Sequence, residues 1–279
     1  MANRTWKGTG STGNDYDWSV AGNWEEGVVP TTGDDVRIPA GSAKITSGLD
    51  QSAIGLGDFY ISFGFDQNIG TSTGYLQLDP NRFDVSPIGG AQYLHIASTT
   101  AIDVQVQRTG SAASGYSAVN LTGLIDDLSI TQGSVGVARL HGETATVENC
   151  RVLKSGARVR IGAGTSIQVI RQSAGTVEVH AATSTVNQYG GSLTTNEDNV
   201  VSTLNIYGGR AVLNSIGTMA KVNHYGGAVD LTQSAEPRTI TGYQLHNEDT
   251  TTLSYDPNVV TLTTFTLPAR PVQIVARNV

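Results

Sequence analysis

Three regularities of this sequence predict an all-β chain wound into a right-handed parallel β-helix with coils of 18–20 residues. Tyr189, Tyr207, Tyr225 and Tyr243 stand at strict intervals of eighteen. The first three open the same tripeptide, Tyr-Gly-Gly. An aliphatic residue also recurs at nearly that spacing, at Leu128, Val147, Ile167, Val186, Leu204, Val222 and Ile240, each followed by a polar residue. A period this short means one structural unit stacked on itself. Apolar-in, polar-out alternation is that of a strand with one face on a core. The handedness is argued by exclusion. A left-handed β-helix needs a small aliphatic residue every six, and the positions six and twelve beyond Val186 hold Ser192 and Asp198.

The elements follow in chain order. Residues 1–40 carry all three tryptophans, Trp6, Trp18 and Trp24, and are expected to cap the first coil, since an open solenoid end exposes core and strand edges. Val36 and Ile38 alternate with Arg37 to start the first strand, which Pro39 ends. Residues 41–127 read as wider, irregular early coils, with alternating strands at Phe59–Phe65 and Ile102–Val106. A separate small β-domain at 50–90 is the alternative. Residues 128–257 are the regular coils. There Asn187, Asn205 and Asn223 are expected to form an outward amide ladder, and the Tyr column to sit partly inward near a corner. Extrapolating the register places Ile170 and Cys150 in that Tyr column. The paired glycines after each Tyr supply the bend. Residues 258–279 break the period: a Thr-rich strand, two prolines, then Val272 and Ile274 alternating to the end. This segment reads either as a last strand folded on its own coil or as a docking arm.

Composition narrows the function. A net charge of −7 argues against a general nucleic-acid binder. No run of eighteen apolar residues exists, so no spanning helix is expected, and the first residues lack a signal-peptide h-region. The histidines make no zinc-type pairing with one another or with Cys150, and no phosphate loop opens a helix, so no metal or other cofactor is expected. His224 reads as a buried structural residue and Cys150 as a small buried hydrophobe. A carbohydrate-cleaving site would need gathered carboxylates, and Asp103, Asp126, Asp127 and Glu148 are the candidates. Arg139, Arg151, Lys154, Arg158, Arg160 and Arg171 fall within 33 residues and could stack into a basic face for an acidic partner or anionic glycan.

The N-terminal pattern W…dWs.a.NW..G.vP..gDdv.Ip resembles the opening segment of β-solenoid virion structural proteins of phages and of bacterial adhesin-like β-solenoids. Trp6, Trp18, Asn23, Trp24, Gly27, Pro30, Gly33, Asp34, Val36, Ile38 and Pro39 carry it. The resemblance implies a solenoid, and with no secretion signal it implies a virion protein rather than an adhesin. The sequence-level expectation is therefore a non-enzymatic structural protein of a phage-like particle, made in the host cytoplasm. It would be a capsid decoration protein or a spike or fibre stem, binding itself as a homotrimer and a major capsid or other virion protein. A tailspike-type depolymerase or a glycan-binding adhesin is the alternative.

Overall fold

The computed structural model describes residues 1–8, 15–139, 142–196, 201–247 and 250–268. Among these the chain forms twenty strands and one 3-10 turn, Ala21–Asn23. The paired strands run in parallel, making the chain a β-solenoid. It divides into two compact units, one of Met1–Ala138 with Gly142–Thr146, the other holding Val147–Val279.

The first unit contains β1 (Asn3–Thr5), β2 (Asp35–Ile38), β3 (Asp50–Ile61), β4 (Leu76–Val85), β5 (Leu94–Val106), β6 (Val119–Ile130) and β7 (Gly133–Val137). Register stacks Val36, Phe59, Phe83, Val104 and Leu128 into one core column, and Ile38, Ile61, Val85, Val106 and Ile130 into its neighbour. A second wall stacks Leu76, Leu94, Val119 and Val135. All of these side chains are buried, so each coil hides the apolar face that a lone coil would expose. The strands within 50–90 pair with β2 on one side and β5 on the other.

The residues of the N-terminal pattern have physical roles. Trp6, Trp18 and Trp24 have no exposed surface. Trp24 packs edge-on to both others, with ring centroids 5.2 and 4.7 Å away, and Trp18 stacks on Phe59 at 6.5 Å. The Trp6 and Trp24 indole N–H groups donate to the carbonyls of Ala43 and Trp18. The buried Asn23 amide donates to the Asp17 carbonyl at 2.9 Å. Asp34 accepts from Arg4 Nε at 2.8 Å, from the Ala2 and Thr31 N–H groups and from the Thr31 hydroxyl. Burial pushes the Asp34 carboxyl up, but those donors outweigh it and hold the pKa down to about 2.

That shift carries a pH dependence. The folded pKa lies below the unfolded one, so the stabilisation is complete above about pH 4 and is lost as pH falls towards about 2. Asp34→Asn should cost about 1–3 kcal/mol at neutral pH, the value of hydrogen bonds to a charged group. The difference from the parent should shrink on acidification, as read from denaturant midpoints at stepped pH. A constant difference across that range would remove the carboxylate from the account.

The second unit contains β8 (Ala145–Val152), whose first two residues belong to the other unit, β9 (Ala157–Ile161), β10 (Thr165–Gln172), β11 (Thr176–Val179), β12 (Ala182–Gln188), β13 (Ser192–Thr195) and β14 (Val201–Ile206). It continues with β15 (Arg210–Leu213), β16 (Met219–His224), β17 (Gly227–Asp230), β18 (Arg238–Leu245), β19 (Thr251–Ser254) and β20 (Val260–Thr266). One wall stacks Ile170, Val186, Leu204, Val222, Tyr243 and Phe265. The other stacks Val159, Val177, Leu193, Ala211, Val229 and Leu253.

This register corrects the sequence reading in four places. Tyr243 does not continue the Tyr column. It pairs with Val222, lies in the core at 1% exposure, and bonds His224. The coil from Val222 to Tyr243 is 21 residues long, because the segment between β17 and β18 takes up three more than the eighteen-residue period. Upstream the coil shortens: Ile170, not Ile167, aligns with Val186, and Ile167 aligns with Thr183. Ile170 is therefore a core position and not an equivalent of Tyr189; Cys150 is likewise fully buried, with its thiol pKa pushed up by burial to about 12. Finally, Ile240 aligns with Met219 rather than Val222.

Candidate functional site: a wall of side-chain ladders

The corner after β12, β14 and β16 is where the repeat acts. Gln188, Ile206 and His224 occupy one inward column, so the next residue faces out. That residue is Tyr189, Tyr207 or Tyr225. Tyr189 and Tyr207 are 53% and 44% exposed, which corrects the partly inward position expected from the sequence. The three rings stack face to face, with centroids 4.9 and 4.7 Å apart and planes within 9° and 4°. His246 takes the fourth place in the stack, 4.1 Å from Tyr225. The stack is thus continued in space across the longer coil, although the sequence interval is not. Burial, then the neighbouring Tyr225 and Tyr189, holds the Tyr207 phenol above its ordinary pKa.

Beside it runs the amide ladder. Asn205 Nδ2 donates to Asn187 Oδ1 at 2.9 Å, and Asn223 Nδ2 to Asn205 Oδ1 at 2.7 Å. Arg171 aligns with Asn187 at one end of the ladder and Gln244 with Asn223 at the other. Arg171 Nη1 donates to Asn149 Oδ1 at 2.8 Å.

Inside the corner, buried polar side chains staple the turn. Gln172 Nε2 donates to the carbonyls of Gly175 and Ser192, and Gln188 Nε2 to those of Gly191 and Arg210. Each reaches its own turn and the next coil. Ile206 interrupts this column, and His224 takes the polar role in the coil after it. Its Nε2 lies 3.1 Å from the Gly227 carbonyl, an acceptor, and its Nδ1 lies 2.7 Å from the Tyr243 hydroxyl. Nε2 therefore carries a proton, and burial lowers the pKa of the ring. Gly191, Gly209 and Gly227 have φ of 79°, 83° and 84°. A Cβ on Gly209 would lie 2.5 Å from the Gly191 carbonyl oxygen, and one on Gly227 equally close to that of Gly209.

The proposed chemical residues are distributed as follows. Asp103 aligns with Asp127 on the next strand, and Arg82 aligns with Asp103, so these three share one outer face of the first unit. Asp126 and Asp127 both face away from the core, because the strand carries a register irregularity between Ile125 and Asp127. Glu148 is exposed on β8, in the second unit. The cationic cluster divides. Arg158 and Arg160 lie on β9, where Arg160 is 3.8 Å from Glu178, while Arg151 and Arg171 lie on the other wall, on β8 and β10. Arg139 is half-buried outside the strands. Val272 and Ile274 lie outside the described residues.

Two polar clusters escaped the sequence reading. His95, Asn120 and Glu143 meet in the first unit, with Asn120 Nδ2 donating to Glu143 at 3.0 Å and His95 Nε2 3.8 Å from it. Burial lowers the His95 pKa, opposed by Glu143. His180, Glu178, Asn196 and Asn214 meet in the second, with His180 Nε2 2.7 Å from Glu178 and Asn214 donating to Asn196. The eighteen-residue interval between Asn196 and Asn214 was the available signal. The first cluster gave none, since its members come from coils of unequal length. Among the described residues no three His, Cys, Asp or Glu gather as metal ligands, and no helix is long and apolar enough to cross a membrane.

Fold and wall together define a parallel β-solenoid whose coils are tied by repeated side-chain ladders. Comparison with known proteins returns no matching family model, no similar curated protein and no similar solved structure.

Proposed function

We propose that this chain is a non-enzymatic structural protein of a phage-like particle, either a capsid decoration protein or a spike or fibre stem. It assembles as a homotrimer on a major capsid or other virion subunit. The observation that carries this reading is the ladder wall, in which Tyr, Asn and Gly columns tie successive coils at one corner. Such a wall spends its polar groups on its own neighbours, which suits a stiff mechanical element. In this reading the tryptophan cluster closes the first coil and keeps its edge from pairing indiscriminately. Mass spectrometry of purified particles, with light scattering of the isolated chain, tests it. Recovery of the chain in particles at a fixed ratio to the major subunit is expected, as is a trimer in solution. Particles lacking the chain would end the proposal.

One observation favours a second reading, a carbohydrate-active β-helix. Asp103 and Asp127 are cross-strand neighbours with Arg82 beside them, an arrangement able to hold an acid and a base on one sugar. Release of oligosaccharide from bacterial polysaccharide, abolished by Asp103→Asn and by Asp127→Asn, would establish that reading instead.

A further inference from the structure

The coil that departs from the eighteen-residue period holds a buried cation. Arg238 opens β18 at 5% exposure. Its main-chain N–H donates to the Val259 carbonyl at 3.0 Å, and its Nη2 donates to the Leu231 carbonyl. Its Nε and Nη1 are buried with no hydrogen-bond partner among the described residues. Among the described residues no carboxylate bonds it. Asp230 acts on it through space, but that carboxylate already accepts from Arg210 at 2.8 Å, from the Thr232 N–H and hydroxyl, and from Gln233. Burial lowers the Arg238 pKa, with Asp230 opposing, as expected of a guanidinium short of compensating charge.

Arg238 lines a small cavity with Val201, Leu213, Ser215, Met219 and Leu231. The cavity offers about 10 Å³ to the centre of a water-sized sphere, too little for an oxyanion, and a halide fits once the side chains around it give by about a few tenths of an ångström. A water there would accept from the guanidinium but needs acceptors for its own hydrogens, and in the mostly aliphatic walls only Ser215 and Thr239 bring side-chain oxygens. A halide accepts from both N–H groups, needs nothing in return and supplies the missing negative charge. We propose that this cavity is a binding site for a single halide ion, chloride foremost, held by Nε and Nη1 of Arg238. The ion would lock the 21-residue coil that carries β17 into β18.

The test compares thermal midpoints of the full chain in potassium chloride, bromide and gluconate at equal ionic strength. Chloride at ten times its Kd should raise the midpoint by about 2–3 °C over gluconate. Arg238→Met, which keeps the length and loses the donors, should abolish that increment. Crystals of the unmodified chain grown in bromide should show an anomalous peak beside Nε and Nη1. This second measurement decides the matter if the variant does not fold. Equal midpoints in chloride and gluconate, an increment that survives in Arg238→Met, or no bromide at the site would each overturn the proposal in favour of a bound water.

Discussion

Gly209→Ala should lower the stability of the second unit by about 3 kcal/mol or more. Two costs combine. At φ of 83° a side chain meets its own backbone, a penalty of about 1–2 kcal/mol. The new Cβ would also lie 2.5 Å from the Gly191 carbonyl oxygen and 2.8 Å from the Gly190 carbonyl carbon, which are backbone atoms of the coil beneath. Relief requires the coils to move apart, and the Tyr207 stack and the Asn205 bond lie on the same coil. Gly115→Ala is the matched control. Its φ of 84° is nearly the same, but a Cβ there meets nothing within 4 Å, so only the conformational penalty remains. Urea midpoints followed by circular dichroism measure both. Equal losses in the two variants would show that coil contact contributes nothing.

Trp24→Ala should cost about 3–5 kcal/mol, the range for truncating a large buried aromatic residue. The ring has no exposed surface and lies edge-on to both Trp6 and Trp18. Its removal leaves a cavity between two rings that cannot both close on it. It also strands the Trp18 carbonyl, which loses the indole donor at 2.9 Å. Trp24→Phe keeps most of the volume and should recover about half of the loss. A loss of under 1 kcal/mol in Trp24→Ala would mean that the cluster is dispensable to the first unit.

The fold was legible because two successive coils of the second unit, Val186 to Leu204 and Leu204 to Val222, are both eighteen residues long. Asn187, Asn205 and Asn223 repeat in sequence because they repeat in space. The first unit stacks its core as well, yet Val36, Phe59, Phe83, Val104 and Leu128 are 23, 24, 21 and 24 residues apart, so no fixed period exposes them. Corner loops absorb insertions at little cost, whereas the strands hold register. The same slack misplaced Tyr243: its interval of eighteen from Tyr225 is a coincidence of numbering, and burial beside His224 decides its place. The site was legible where it follows the period, as in the Tyr and Asn columns. Arg238 and the His95 cluster were not, since each depends on residues brought together by coils of unequal length.

All three tryptophans belong to the first unit, while the stacked Tyr189, Tyr207 and Tyr225 belong to the second. The first unit therefore carries an optical label that the second lacks. Indole emission follows the melting of the first unit alone, so set against the far-ultraviolet circular dichroism of the whole chain it shows, from one unlabelled sample, whether the second unit melts with it.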